Sequence, residues 1–203
     1  NGSIDDDRFV NVGGESGAPT NAFDQHARDS VAYVEQQVAL DTRWTLAVGA
    51  QGLSSVRRSY DRLITGGRDE SFEKTYTGIS PKLGVRMQVG EGAQVFANVS
   101  RSLEPPSFGE LTGGPGVTQV DMQEGTTFEV GTRVQHAKGW VDAALYHARI
   151  VGELLALNDA NGNPLGTTNA DRTVHQGVEL GAAWDWSSQW RTSVQYLFND
   201  FRF

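Results

Sequence analysis

The stretch Val174-His175-Gln176-Gly177-Val178-Glu179-Leu180-Gly181-Ala182-Ala183-Trp184-Asp185-Trp186, then Ser187-Ser188, then Gln189-Trp190-Arg191-Thr192-Ser193-Val194-Gln195-Tyr196, decides the fold. Its period is two. Val174, Val178, Leu180, Ala182, Trp184 and Trp186 share a face with Gln176, while His175, Gly177, Glu179, Gly181, Ala183 and Asp185 share the other. Alternation of this kind describes a strand with one apolar face. After Ser187-Ser188 the pattern resumes. Trp190, Thr192, Val194, Tyr196 and Phe198 oppose Gln189, Arg191, Ser193 and Gln195.

The period repeats upstream. Trp44, Leu46, Val48 and Ala50 oppose Thr45, Ala47, Gly49 and Gln51. Ile79, Pro81, Leu83, Val85, Met87 and Val89 oppose Ser80, Lys82, Gly84, Arg86 and Gln88. Phe128, Val130 and Val134 oppose Glu129, Arg133 and Gln135. Two segments are less regular: 140–157 is apolar on both faces, and past Leu197 the phase slips, which suggests a bulge. The pattern predicts eight strands at roughly 28–40, 43–60, 73–89, 93–103, 123–137, 140–157, 171–186 and 189–203. Short turns at Asp41-Thr42, Gly90-Glu91-Gly92, Lys138-Gly139 and Ser187-Ser188 alternate with longer loops near 61–72, 104–122 and 158–170, and 1–27 is expected to be another such loop.

Long strands with short turns at one end and long loops at the other match a transmembrane barrel, turns periplasmic and loops extracellular. All five tryptophans lie within four residues of a short turn. Trp44, Trp140, Trp184, Trp186 and Trp190 are therefore expected to form an aromatic girdle at headgroup level. The fold class expected is all-β: an antiparallel, up-and-down transmembrane β-barrel segment of about eight long strands.

Bulk composition neither demands nor forbids this. The chain has 203 residues, 38% hydrophobic, with a mean hydropathy of −0.41. A barrel tolerates that because only alternate residues face lipid. No run approaches the ~18 apolar residues of a spanning helix. A net charge of −8 argues against nucleic-acid binding. The absence of cysteine excludes disulfides and zinc-thiolate sites. His26, His136, His147 and His175 fall at no metal-ligand spacing, and no nucleophile elbow or phosphate-cradling loop is present. Asp159, Asn161 and Asn163 mimic the start of a calcium loop, but Pro164 stands where glycine is needed. No enzyme, metal site or cofactor is expected.

The sequence Val95-Phe96-Ala97-Asn98-Val99-Ser100-Arg101-Ser102-Leu103-Glu104-Pro105-Pro106-Ser107-Phe108-Gly109-Glu110-Leu111 resembles a signature in the barrel of TonB-dependent outer-membrane receptors. Ser80-Pro81-Lys82-Leu83-Gly84, Phe128-Glu129-Val130-Gly131 and His175-Gln176-Gly177-Val178-Glu179-Leu180 resemble further pieces of that barrel, in the family's order. The resemblance covers roughly 28–203 and implies a partial barrel over 1–203, with the family's plug domain and TonB box absent. Family barrels have about twenty-two strands, so eight form only part of the wall.

What the resemblance implies is uptake of a metal chelate, a ferric siderophore or ferric citrate, at the bacterial outer membrane. The partners would be that chelate, TonB through the missing plug, and outer-membrane lipid. Arg57, Arg58, Arg68, Arg101 and Glu104 become candidates for the ligand-binding extracellular mouth, since arginine makes bidentate bonds to carboxylates. The competing readings are pairing with Asp61, Asp69 and Glu70, or contact with lipid phosphates. Lys82, Arg86, Glu129, Arg133, Glu179 and Arg191 would face the lumen and the plug. Two other architectures fit the alternation: a complete eight-stranded outer-membrane anchor or adhesin, whose first and last strands would pair, and a soluble β-sandwich or carbohydrate-binding module.

Overall fold

Alternation requires a sheet, and the long strands find their partners in strict sequence order. The computed structural model describes residues 2–64 and 66–203. Its strands are β1 (Gly2–Val12), β2 (Glu15–Ala39), β3 (Trp44–Asp61), β4 (Phe72–Gly90), β5 (Ala93–Glu104), β6 (Gln123–His136), β7 (Gly139–Val151), β8 (Glu153–Asn158), β9 (Pro164–Ala170), β10 (Thr173–Asp185) and β11 (Arg191–Arg202). One short helix, α1 (Phe108–Thr112), interrupts the β5–β6 loop. Nine strands form a single antiparallel sheet in the order β1-β2-β3-β4-β5-β6-β7-β10-β11, while β8 and β9 form a separate hairpin. Among the described residues β1 and β11 do not pair with one another. The sheet is therefore an open piece of wall, neither a closed small barrel nor two packed sheets.

Registers assign every strand residue to a face. Trp44 pairs with Met87, Leu46 with Val85 and Val48 with Leu83. Leu83 continues to Val99, Val99 to Phe128 and Val130 to Leu145. Leu145 pairs with Val178, and Val178 with Phe198. These residues make one continuous apolar face, and most of their side chains are exposed. In a soluble protein that exposure would be prohibitive; against hydrocarbon it is the expected solution.

The turns divide as expected. Asp41 closes the β2–β3 turn by accepting the N–H groups of Arg43 (2.7 Å) and Trp44 (2.8 Å). The short connections β4–β5, β6–β7 and β10–β11 lie at the same end, and the long loops at the other.

Four expectations need correcting. Residues 2–27 are a hairpin, not loop: β1 pairs with the first half of β2 around Gly13-Gly14, whose φ values of 64° and 94° suit a two-residue turn between strands. Neither hairpin face is consistently apolar, so periodicity did not reveal it. The expected strand 140–157 breaks at Gly152 (φ 68°), where the chain leaves the main sheet and starts β8. The expected loop 158–170 contains β9. No bulge follows Leu197, since β10 and β11 keep one register from Asp185–Arg191 to Val174–Arg202. There Phe201 turns to the polar face, where its ring lies 4.4 Å from that of His175.

Candidate functional site

Opposite the apolar face the sheet carries charge. Lys82 pairs across strands with Gly49 and Ser100, which puts it beside Glu35, and the two form an ion pair. Arg86 donates to Thr45 Oγ1 (3.3 Å), and Asn98 donates to Glu129 (2.9 Å). Arg133 meets Asp142 at 2.7 Å, and Arg191 meets Asp185 at 3.3 Å. Glu179 makes no ion pair among the described residues. Lys82, Arg86, Glu129, Arg133, Glu179 and Arg191 thus all stand on one face. Its exposed pairs contribute at most about 1 kcal/mol each. They make a wet, rearrangeable surface rather than a core.

Aromatic rings lie over bare backbone on this same face. A Cβ on Gly131 would come within 2.5 Å of the Phe96 ring, and one on Gly181 within 2.9 Å of Trp140. Glycine here removes a side chain so that a neighbouring ring can cover the strand. A shallow groove of about 450 Å³ runs between these rings and the charges, lined by Phe96, Glu129, Arg133, Trp140, Glu179 and Gln195 among others. Trp140 is therefore not part of the expected girdle. Its register partners Gln135 and Ala183 belong to the polar face, whereas Trp44 and Trp184 stand on the apolar one, with Trp186 packed edge-on to Trp184 at 6.5 Å. Trp190 sits in the β10–β11 turn, where its backbone oxygen accepts from Trp186 N–H at 2.9 Å.

At the long-loop end the β5–β6 loop folds back onto the polar face of β2, β3 and β4. This is where the chain buries most. Phe23, Gln25, Ser55, Ser59 and Tyr76 from the strands, with Pro106, Leu111, Thr112 and Val120 from the loop, are all below 6% exposure. Helix α1 starts in a capping box: Ser107 N–H donates to Glu110 Oε2 (2.7 Å), and Glu110 N–H donates back to Ser107 Oγ. Arg57 fastens it, donating from Nε to the Pro106 carbonyl (3.0 Å) and from Nη1 to Asp29 (2.8 Å). Gln25 donates to Thr112 Oγ1 (3.3 Å), and Tyr76 donates to the Val120 carbonyl (3.1 Å). Asn169 bonds Asp121 through both its N–H and its carbonyl, tying the loop to the β8–β9 hairpin. The buried Ser59 hydroxyl has no partner among the described residues.

The five candidates for the mouth do not assemble. Adjacent strand residues face opposite ways, so Arg57 and Arg58 cannot share a surface. Arg57 is buried under the loop, and Arg58 stands on the apolar side, paired with Glu73 at 2.8 Å. Arg101 is also on the apolar side, paired with Glu124. Glu104 is on the polar side and accepts from Gln123 (2.6 Å). Arg68 lies in the β3–β4 loop against Glu70 (2.9 Å). There it borders a pocket of about 260 Å³ with Thr20, Asn21, Phe23 and Asp61. Asp61 itself is occupied by the N–H groups of Leu63 and Glu70. The cluster that residue-type reasoning missed is Phe23, Gln25, Asp29, Tyr76 and Val120. The Ser107-x-x-Glu110 spacing was its one legible signal.

Comparison with known proteins agrees with this geometry. The TonB-dependent receptor-like β-barrel family matches residues 2–203. The metal-pseudopaline receptor CntO of Pseudomonas aeruginosa is 22% identical over 173 residues, 82% of this chain and 23% of that protein. The siderophore receptor PiuA of Acinetobacter baumannii superposes with a TM-score of 0.72 at 15% identity, over 92% of this chain and 28% of its own. The ferric-catecholate import receptor Fiu of E. coli K12 gives a TM-score of 0.69 at 17% identity, covering 91% and 30%. The chain thus spans under a third of the length of these relatives. It belongs to the TonB-dependent receptor β-barrel family, as part of the wall of an outer-membrane barrel.

Proposed function

We propose that this wall belongs to a receptor that takes up a ferric siderophore or similar metal chelate, with energy supplied by TonB through a plug domain. The observation that carries the reading is the two-sided sheet with its β5–β6 loop turned inward. One face suits lipid, and the other is lined by ion pairs and capped at the long-loop end by a fastened loop. The named relatives, receptors for metal-pseudopaline, a siderophore and a ferric catecholate, support the cargo class. In this reading the long loops are extracellular, the 2–27 hairpin among them, and Trp44, Trp184, Trp186 and Trp190 mark the periplasmic interface. Lys82, Arg86, Glu129, Arg133, Glu179 and Arg191 face the plug, and their exposed pairs can exchange partners when it moves. Of the five candidates, Arg68 and Glu104 remain for the mouth, each beside the polar partner it holds at rest. Arg57 holds the loop rather than the cargo.

The test is uptake by the intact receptor in a host lacking its own chelate receptors. Radiolabelled iron would be supplied as a ferric catecholate, a ferric hydroxamate, ferric citrate or a carboxylate metallophore. Accumulation with one class, abolished when TonB is deleted, is the expected result. Uptake of none of them, or uptake independent of TonB, would overturn the reading.

A further inference from the structure

The apolar face ends differently at its two rims. Towards the short turns it carries tryptophan. Towards the long loops it carries arginine: among the described strand residues, every cation on that face (Arg28, Arg58, Arg101, Arg149, Arg202) lies at the upper end, and none is lysine. Three of them occupy one cross-strand row. Arg101 pairs with Thr126, Thr126 with Arg149, Arg149 with Val174 and Val174 with Arg202.

Strand spacing places consecutive arginines of this row roughly 10 Å apart. On β7, Arg149 stands ten residues above Gly139, the register partner of Trp184. At ~3.3 Å per residue and a tilt near 40°, that is about 25 Å along the membrane normal, the height of a barrel's apolar band. A row perpendicular to tilted strands climbs by about 6 Å for each pair of strands, a spread that long arginine side chains can absorb by snorkelling.

The row is not self-neutralised. Arg101 is held by Glu124, and Arg202 by Asp200 at 2.7 Å. Arg149, between them and exposed, makes no ion pair among the described residues. Its neighbours one row below, His147 and Gln176, are bonded to each other at 3.2 Å, and Gln176 donates to Asp200 at 3.0 Å. The result is a free guanidinium flanked by two others that are already oriented, two rows above the apolar band at Leu145, Val178 and Phe198.

We propose that Arg149, with Arg101 and Arg202, binds a phosphate group of a phosphorylated outer-leaflet lipid. Guanidinium suits this because it takes phosphate oxygens two at a time and is less strongly hydrated than ammonium. The occupant is a lipid rather than a free anion because the apolar band of Leu145, Val178 and Phe198 begins two rows below, beneath the His147, Gln176 and Asp200 row, a headgroup's depth from the arginines. The inference does not depend on which chelate the receptor carries.

The test uses the intact receptor purified from outer membranes. Phosphorylated lipid retained through detergent exchange is counted by native mass spectrometry. Arg149→Gln should lower retention at least threefold, and the triple Arg101→Gln, Arg149→Gln, Arg202→Gln variant should abolish it. Arg149→Lys should restore it only in part. Arg43→Gln, in a turn at the opposite rim, serves as control and should retain wild-type amounts. A heat-modifiability gel confirms that each variant is a closed barrel. In bilayers, adding phosphorylated lipid to neutral lipid should raise the wild-type unfolding temperature, and adding inorganic phosphate should not. Unchanged retention in the single and triple variants, an equal loss in Arg43→Gln, or full substitution by inorganic phosphate would each overturn the proposal.

Discussion

Arg57 and Arg58 are neighbours with different environments. Arg57 is 9% exposed and bonds Pro106 and Asp29, whereas Arg58 forms an exposed pair with Glu73. Removing Arg57 leaves a buried carbonyl unpaired, which costs about 1–3 kcal/mol. An exposed pair contributes less than about 1 kcal/mol. Arg57→Ala in the intact receptor should therefore speed hydrogen exchange and proteolysis across 105–122, and Arg58→Ala should leave both near wild type. Val85 and Arg86 make the same contrast on the membrane-spanning wall. Val85→Arg is expected to lower barrel stability by about 2–4 kcal/mol in lipid, and Arg86→Ala by much less. Equal damage in a denaturant titration would mean the faces are assigned wrongly. Both pairs were present in the sequence as neighbouring letters of opposite parity. Residue type suggested that Arg57 and Arg58 belong together, and parity separates them.

At the scale of elements, strands with a clean period were legible and irregular ones were not. β3, β4, β6 and β10 alternate because one of their faces meets lipid. β1, the first half of β2, β8 and β9 have no such face, and only pairing defines them. The β1–β2 hairpin depends on its turn. Replacing Gly13 by Ala forces an L-residue into the left-handed region at roughly 1–2 kcal/mol, so exchange protection of β1 should fall, while Gly13→Asn should be tolerated. The β8–β9 loop has its own device. Asp159 accepts the Asn163 side-chain amide and the N–H groups of Asn161 and Asn163, each at 2.8 Å. The Asn163 side chain first, then its backbone N–H, holds that carboxyl below the usual carboxylate range. A depressed folded value means that the stabilisation is present above the ordinary carboxylate pKa and is lost as pH falls through the lowered one. The Asn161 and Asn163 amide resonances should hold steady from neutral pH down to about pH 4 and shift only in stronger acid. Asp159→Asn should remove that transition.

At the scale of the whole molecule, an apolar face without a cover and two unpaired sheet edges cannot be stable in water. The 203-residue chain refolded alone should give β-type circular dichroism with mixed oligomers or aggregates and no discrete gel shift on heating. A sharp detergent-dependent shift would show that this piece closes by itself, and a monodisperse monomer in water would contradict the membrane assignment. The family relation, the open sheet and the end-to-end division of turns and loops all concern this scale.

The sequence by itself determined which residues can face lipid, how many long strands run through 28–203, at which end the short turns lie and, through its motifs, the family. These are local properties: a period of two and a turn of two or three residues need no distant partner to be recognised. Only the tertiary structure decided that the β5–β6 loop folds inward, that Phe23 and Leu111 are buried together and that Trp140 lies over Gly181 on the polar face. It likewise decided that Arg101, Arg149 and Arg202 fall in one row. Those relations depend on register and loop closure between residues tens of positions apart, and no local pattern encodes a register.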